Sequence, residues 1–140
     1  APQPYARVVV DTLGTLSAMV VHGADGLDEF SPTGPSKYAW LRNGGITTGF
    51  LDPRDLRLLP VSLSELSGGD PQRNGEIATK IFSGEPGAHR EAVVLNAGAA
   101  LLAAGKGSDW DEAIGFAEES LASGNARRKL EALCAFTNRG

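Results

Sequence analysis

The residues best suited to chemistry lie in one stretch, Met19-Val20-Val21-His22-Gly23-Ala24-Asp25-Gly26-Leu27-Asp28-Glu29. A short apolar run from Ala18 to Val21 stops abruptly at a loop containing a histidine, two glycines and three acidic residues. An apolar run without alternation suits a strand covered on both faces, as in a parallel sheet. In open α/β sheets ligands bind beyond the carboxyl ends of the strands, where this loop would lie. Gly23 and Gly26 let the backbone approach a ligand closely. Asp28 and Glu29 then present adjacent carboxylates, hard oxygen ligands of the kind that hold magnesium carrying a substrate phosphate. The same acidic pair also fits a solvated turn or a helix cap.

The order of these residues narrows the choice. Val20-Val21-His22-Gly23-x-x-Gly26-Leu27-Asp28-Glu29 closely resembles a segment of the anthranilate phosphoribosyltransferases. The run Glu91-Ala92-Val93-Val94-Leu95-Asn96-Ala97 and a Gly68-Gly69-Asp70 followed by Asn74 are also typical of that family. Here Gly75 follows Asn74 where the family usually has alanine, a change that should loosen a helix by about 1 kcal/mol. The resemblance implies that Asp28 and Glu29 bind magnesium; Asp25 could assist, but it is not one of the family's ligands. It also covers only the carboxyl-terminal portion of such enzymes, somewhat under half, so the chain reads as a fragment of a mixed-sheet α/β domain. The fold class expected is α/β, with an inner strand, a β-hairpin and four to five helices, of the nucleoside phosphorylase/phosphoribosyltransferase class.

The elements that must position the acidic loop follow from local pattern. Pro4 to Leu13 reads as a helix, with Tyr5, Val8, Val9 and Leu13 on one face, although the valines by themselves favour a strand. Ser17 to Val21 is the buried strand. Phe30-Ser31-Pro32-Thr33-Gly34-Pro35 can be neither a regular helix nor a central strand. Residues 36 to 51 form a hairpin about Asn43-Gly44, with Tyr38 and Trp40 on one side of the first strand and Ala39 and Leu41 on the other. Asp52 to Asp55 turns, and Leu56 to Leu66 is an irregular connection. Asp70 caps and Pro71 opens a helix whose inward stripe is Ile77, Ala78, Ile81 and Phe82. A Gly-Gly before a helix can also receive a phosphate, but the Asp70 carboxylate would repel it.

Arg90 to Ala104 is apolar nearly all round, which predicts burial and obliges Asn96 to find a partner, expected to be a helix-to-loop hydrogen bond. In the next helix Ser108 is the expected cap, and Trp110, Ile114, Ala117 and Leu121 face inward. A final helix packs Ala126, Leu130, Leu133 and Thr137. His22 is expected to make a structural hydrogen bond at the strand end rather than act as a base, and His89 to lie exposed in a turn.

Composition bounds the partners. The chain has 140 residues, 41% hydrophobic and 21% charged, with a net charge of -4. That charge offers no basic field for nucleic acid or anionic lipid. A single cysteine, Cys134, excludes an internal disulfide, and its helical context suggests a small buried apolar residue. No apolar run is long enough for a membrane span, and the expectation is a cytoplasmic protein.

What the resemblance implies is magnesium-dependent transfer of a phosphoribosyl group from phosphoribosyl diphosphate to the amino nitrogen of anthranilate, a step of tryptophan biosynthesis. No residue is assigned as a catalytic acid or base. The family's phosphate-cradling segments and its helical domain, which supplies the homodimer contact, have no counterpart in these residues. Two other readings stand beside this one: a pyrimidine-nucleoside phosphorylase relative, and a non-catalytic binding module.

Overall fold

The computed structural model describes residues 14–138. The expected helix from Pro4 to Leu13 lies outside them. Three strands come first: β1 (Ser17–Gly23), β2 (Ser36–Arg42) and β3 (Gly45–Leu51). Asn43 and Gly44 both have positive φ, 52° and 72°. Two successive left-handed residues give the tight turn whose twist matches a right-twisted hairpin, and β2 and β3 accordingly pair from Arg42–Gly45 outward to Ser36–Leu51.

β1 pairs antiparallel with the other edge of β2, giving the order β1-β2-β3. The strand is where the apolar run places it. Among the described residues, however, it stands at a sheet edge with one antiparallel neighbour, not inside a parallel sheet, and its residues 18–21 are half-buried. The physical reason is that an apolar run reports what covers a strand's faces. It carries no information on which partner takes each edge.

Register puts Met19 opposite Trp40 and Val21 opposite Tyr38, so these side chains share a face. Met19, Val21 and Tyr38 pack on the core there. Ala39 and Leu41, on the opposite face, are 0% and 1% exposed.

A one-turn 3-10 helix, Pro53–Leu56, follows the hairpin, and a second, Leu63–Leu66, interrupts the stretch expected to be irregular. Four α-helices complete the chain: α1 (Pro71–Phe82), α2 (Ala88–Ala103), α3 (Trp110–Ala122) and α4 (Asn125–Thr137). α1 starts as its sequence demands, with Asp70 Oδ1 accepting from the Arg73 amide at 2.8 Å and Pro71 in the first turn. α3 is capped by Asp109 and not by Ser108: Asp109 Oδ1 accepts from the Glu112 amide, while the Ser108 amide and hydroxyl both donate to the Glu112 carboxylate. Both residues can cap, and the reciprocal Glu112 bonds decide between them.

α2 is the hub. It packs on α1, α3, β1 and the second 3-10 turn. Val94, Leu95, Ala99 and Leu102 enter the core, but Val93 remains 41% exposed, so the apolar circumference is not fully covered by the described residues. α2 begins two residues before Arg90, which puts His89 in its first turn and half-buried, not exposed in a preceding turn. In α4 the expected packing extends only as far as Ala126 and Leu130. Leu133 and Phe136 are exposed, and so is Cys134, contrary to its expected burial. The helix is amphipathic, yet the described chain gives the second half of its apolar stripe nothing to cover it.

At Gly98 α2 lies close against α3: a Cβ there would stand 2.9 Å from Ile114 Cδ1 and 3.5 Å from the Ile114 backbone nitrogen. Gly98→Val in the intact protein is expected to overpack this contact and lower stability by about 1–3 kcal/mol, read from denaturant unfolding. An unchanged midpoint would show that the two helices are not packed this closely.

Candidate active site

The loop after β1 is built around Asp25. Its Oδ1 accepts from the Leu27 amide at 3.1 Å, and its Oδ2 accepts from the hydroxyls of Ser31 and Thr33. Ser31 is itself fully buried, and its amide donates to Ser36 Oγ at 2.8 Å, tying the loop to the start of β2. The backbone closes the same circle, with the Gly23 amide donating to Leu27 O at 2.9 Å. A side chain at position 23 would not fit: its Cβ would stand 2.6 Å from Asp25 Oδ1 and 3.3 Å from both Leu27 O and Ser31 Cβ. Burial would raise the Asp25 pKa, but the Ser31 and Thr33 hydroxyls and the Leu27 amide outweigh it and hold the carboxyl below its usual value.

The far end of the loop is fixed by Phe30. Its ring is 1% exposed, with its centroid 5.2 Å from that of Trp110, edge-on, and 6.0 Å from that of Tyr38. Its backbone is held by Asn96 of α2, the expected helix-to-loop bond. Asn96 Oδ1 accepts from the Phe30 amide at 2.9 Å, and Nδ2 donates to Phe30 O at 2.9 Å.

Between these anchors Asp28 and Glu29 lie exposed. Neither carboxylate has a hydrogen-bond or ion-pair partner among the described residues, in contrast to Asp25. Burial first, then the charges of Asp28 and Asp25, push the Glu29 pKa above its usual value. The cost of ionising Glu29 beside two other carboxylates is a cost that a bound cation removes. Among the described residues no three His, Cys, Asp or Glu side chains come together as a metal cage. Two free carboxylates nonetheless suit magnesium, which keeps several waters and takes its remaining oxygens from a phosphate. The donor set therefore fits that ion, through Asp28 and Glu29 and without Asp25.

The remaining candidates stay outside this pair. His22 is exposed and makes no side-chain hydrogen bond among the described residues, so the expected structural bond is not there. His89 has its Nε2 buried without a partner, and shares a cleft of about 450 Å³ with Leu27, Glu29, Val93 and Asn96. The Gly69 amide donates to Asn74 Oδ1 at 2.9 Å, and Gly69 O accepts from Asn74 Nδ2 at 3.0 Å. Both backbone groups of Gly69 are already engaged, which supports the structural role of the Gly-Gly over a phosphate cradle. Sequence reasoning missed the Ser31 and Thr33 hydroxyls. Their signal was weak: two hydroxyls flanking Pro32, six and eight residues beyond the carboxylate they serve.

Residues 2–127 match the family model described as "Glycosyl transferase family, a/b domain". The chain is 45% identical over 135 residues to the anthranilate phosphoribosyltransferase of Petrotoga mobilis, covering 96% of this chain and 39% of that protein. It superposes on the anthranilate phosphoribosyltransferase of Saccharomyces cerevisiae in complex with PRPP and Mg, with a TM-score of 0.84 at 27% identity, over 93% of this chain and 38% of that one. The enzyme of Thermus thermophilus gives a TM-score of 0.82 at 34% identity, over 97% and 40%. With residues 2–127 matched by the family model, the chain belongs to this glycosyl transferase family, and it spans about 40% of the length of the relatives it matches.

Proposed function

We propose that this chain is the carboxyl-terminal part of the α/β domain of an anthranilate phosphoribosyltransferase, and that Asp28 and Glu29 are its magnesium ligands. The observation that carries the reading is the contrast within one loop: Asp25 is consumed by hydrogen bonds, while Asp28 and Glu29 are left exposed and without partners. The names of the sequence relatives and the PRPP-and-Mg complex of the yeast enzyme support it.

On this reading the anthranilate amino nitrogen bonds to the anomeric carbon of phosphoribosyl diphosphate, the bond from that carbon to the diphosphate oxygen breaks, and the amine releases a proton. Magnesium supplies neutralisation of charge on the departing diphosphate. The loop's part is orientation. Asp25 and its hydroxyl partners hold the amino-terminal half of the turn, and Phe30 holds the carboxyl-terminal half, so the intervening carboxylates need not reorganise as charge develops. The phosphate cradle, the helical domain and the homodimer contact belong to segments other than these. The enzyme acts in the cytoplasm, in tryptophan biosynthesis, without nucleic acid or membrane as partner. Among the described residues no helix is long and apolar enough to cross a membrane.

Asp28→Asn combined with Glu29→Gln in the intact protein is expected to change stability by less than about 0.5 kcal/mol, as surface substitutions usually do. Turnover at limiting magnesium should fall on the order of 100-fold or more, the effect of losing several kcal/mol of charge stabilisation. Steady-state kinetics across a magnesium titration decides, and normal turnover of the double variant would remove the metal assignment. Calorimetry of the intact protein with anthranilate, thymidine and an oligonucleotide separates this function from the phosphorylase and binding-module readings.

Residues 1–140 expressed alone are expected to aggregate or pack loosely and to make no phosphoribosylanthranilate. Phe50 and Phe136 are each 71% exposed and Leu133 is 56% exposed. At roughly 25 cal/mol per Å², a few hundred Å² of such surface costs several kcal/mol, comparable to the stability of a whole domain. A sharp cooperative melt of a monomer by circular dichroism, or product in a fluorescence assay, would show a self-sufficient unit.

A further inference from the structure

Asn96 is an unusual residue for the middle of a buried helix. Asparagine is disfavoured there relative to alanine, because its side chain competes for backbone hydrogen bonds. Here every hydrogen-bonding direction of its amide nitrogen is used. Oδ1 accepts from the Phe30 amide at 2.9 Å, one Nδ2 hydrogen goes to Phe30 O at 2.9 Å, and the other goes to Ala92 O of the preceding helical turn at 3.0 Å. The bond to Ala92 locks the side chain against its own helix. The two bonds to Phe30 then fix the peptide groups on both sides of one residue, 66 positions away in the chain. That residue immediately follows Glu29, whose side chain lines the same cleft as Asn96.

The hydrophobic core does not by itself require this clamp. The Phe30 ring is already seated on Tyr38 and Trp110, and with the ring so held the backbone can still rotate about the Cα–Cβ bond. Rotation of the backbone on the Glu29 side would swing that carboxylate relative to α2 without exposing the ring. The clamp removes this freedom. It acts on the one stretch between the Asp25 network and the core in which neither carboxylate has a partner of its own.

We propose that Asn96 is a positioning residue for the cation site, holding the Glu29–Phe30 peptide so that the Asp28 and Glu29 carboxylates keep one placement relative to α2; this rests on the phosphoribosyl-transfer reading above. Asn96 acts in this role through its bonds to Phe30. Outer partners of metal ligands typically govern metal affinity by 10- to 100-fold, and that is the effect expected here.

The test uses Asn96→Ala and Asn96→Ser in the intact protein. Free Mn²⁺ is measured by electron paramagnetic resonance in the presence of phosphoribosyl diphosphate, and turnover is measured across a magnesium titration. Both variants are expected to melt cooperatively above the assay temperature and to bind Mn²⁺ about ten-fold or more weakly. The magnesium concentration for half-maximal rate should rise by a similar factor, with kcat at saturating magnesium retained within about three-fold. A purely structural role predicts the opposite split: a lower melting temperature with unchanged Mn²⁺ affinity and magnesium midpoint. That result, or failure of both variants to fold, overturns the proposal. A wild-type protein that neither binds Mn²⁺ nor makes product overturns the functional reading itself, and is distinguished from the first outcome because there the wild type is active.

Discussion

The double hold on Phe30 is the constraint from which the geometry of the acidic loop follows. A 1%-exposed aromatic ring supplies the apolar anchor, and the amide of Asn96 supplies the polar one. Each solves a problem the other leaves open. Burying the ring drags the Phe30 amide and carbonyl out of water, and unpaired they would cost about 1–3 kcal/mol each. A single asparagine answers both, because its carboxamide presents one acceptor and two donors side by side. The same device recurs at Asn74, which holds both polar groups of Gly69 in front of α1. In both places a helix residue holds a loop residue by its N–H and its C=O, and the loop is fixed without secondary structure of its own.

Electrostatics then separates three carboxylates that composition alone treats alike. Asp25 is stabilised as an anion by two hydroxyls and an amide, so its oxygens already have partners. Glu29 is pushed toward its neutral form by burial and by its acidic neighbours, and its oxygens have no partner among the described residues. Asp28, adjacent and exposed, completes the pair. What sets the three apart is which oxygens already have partners.

Much of this was legible in the sequence. Asn43-Gly44 placed the hairpin turn, Asp70-Pro71 placed the start of α1, and an apolar helix with one asparagine called for a helix-to-loop bond. Each is a local signal with one physical outcome. What was not legible depended on contacts across the chain. The apolar run of β1 could not say that β2 would take one edge antiparallel. Ser108 and Asp109 are both competent caps, and only the Glu112 carboxylate distinguishes them. The amphipathic stripe of α4 promised burial for Leu133 and Cys134, yet a stripe needs a facing surface, and the described residues offer none. For the candidate site, the sequence offered Asp28 and Glu29 as a pair, while the bonding of Asp25 to Ser31 and Thr33 was not legible, since nothing in their spacing marks them as partners.

The most direct test is the position of a bound cation in the intact protein. A crystal soaked with Mn²⁺ and phosphoribosyl diphosphate would show an anomalous peak. The peak should lie beside the carboxylates of Asp28 and Glu29, directly or through one water, with Asp25 still bonded to Ser31 and Thr33. A peak on Asp25, with its hydroxyl partners displaced, or a cation held by phosphate alone and remote from both Asp28 and Glu29, would contradict the account.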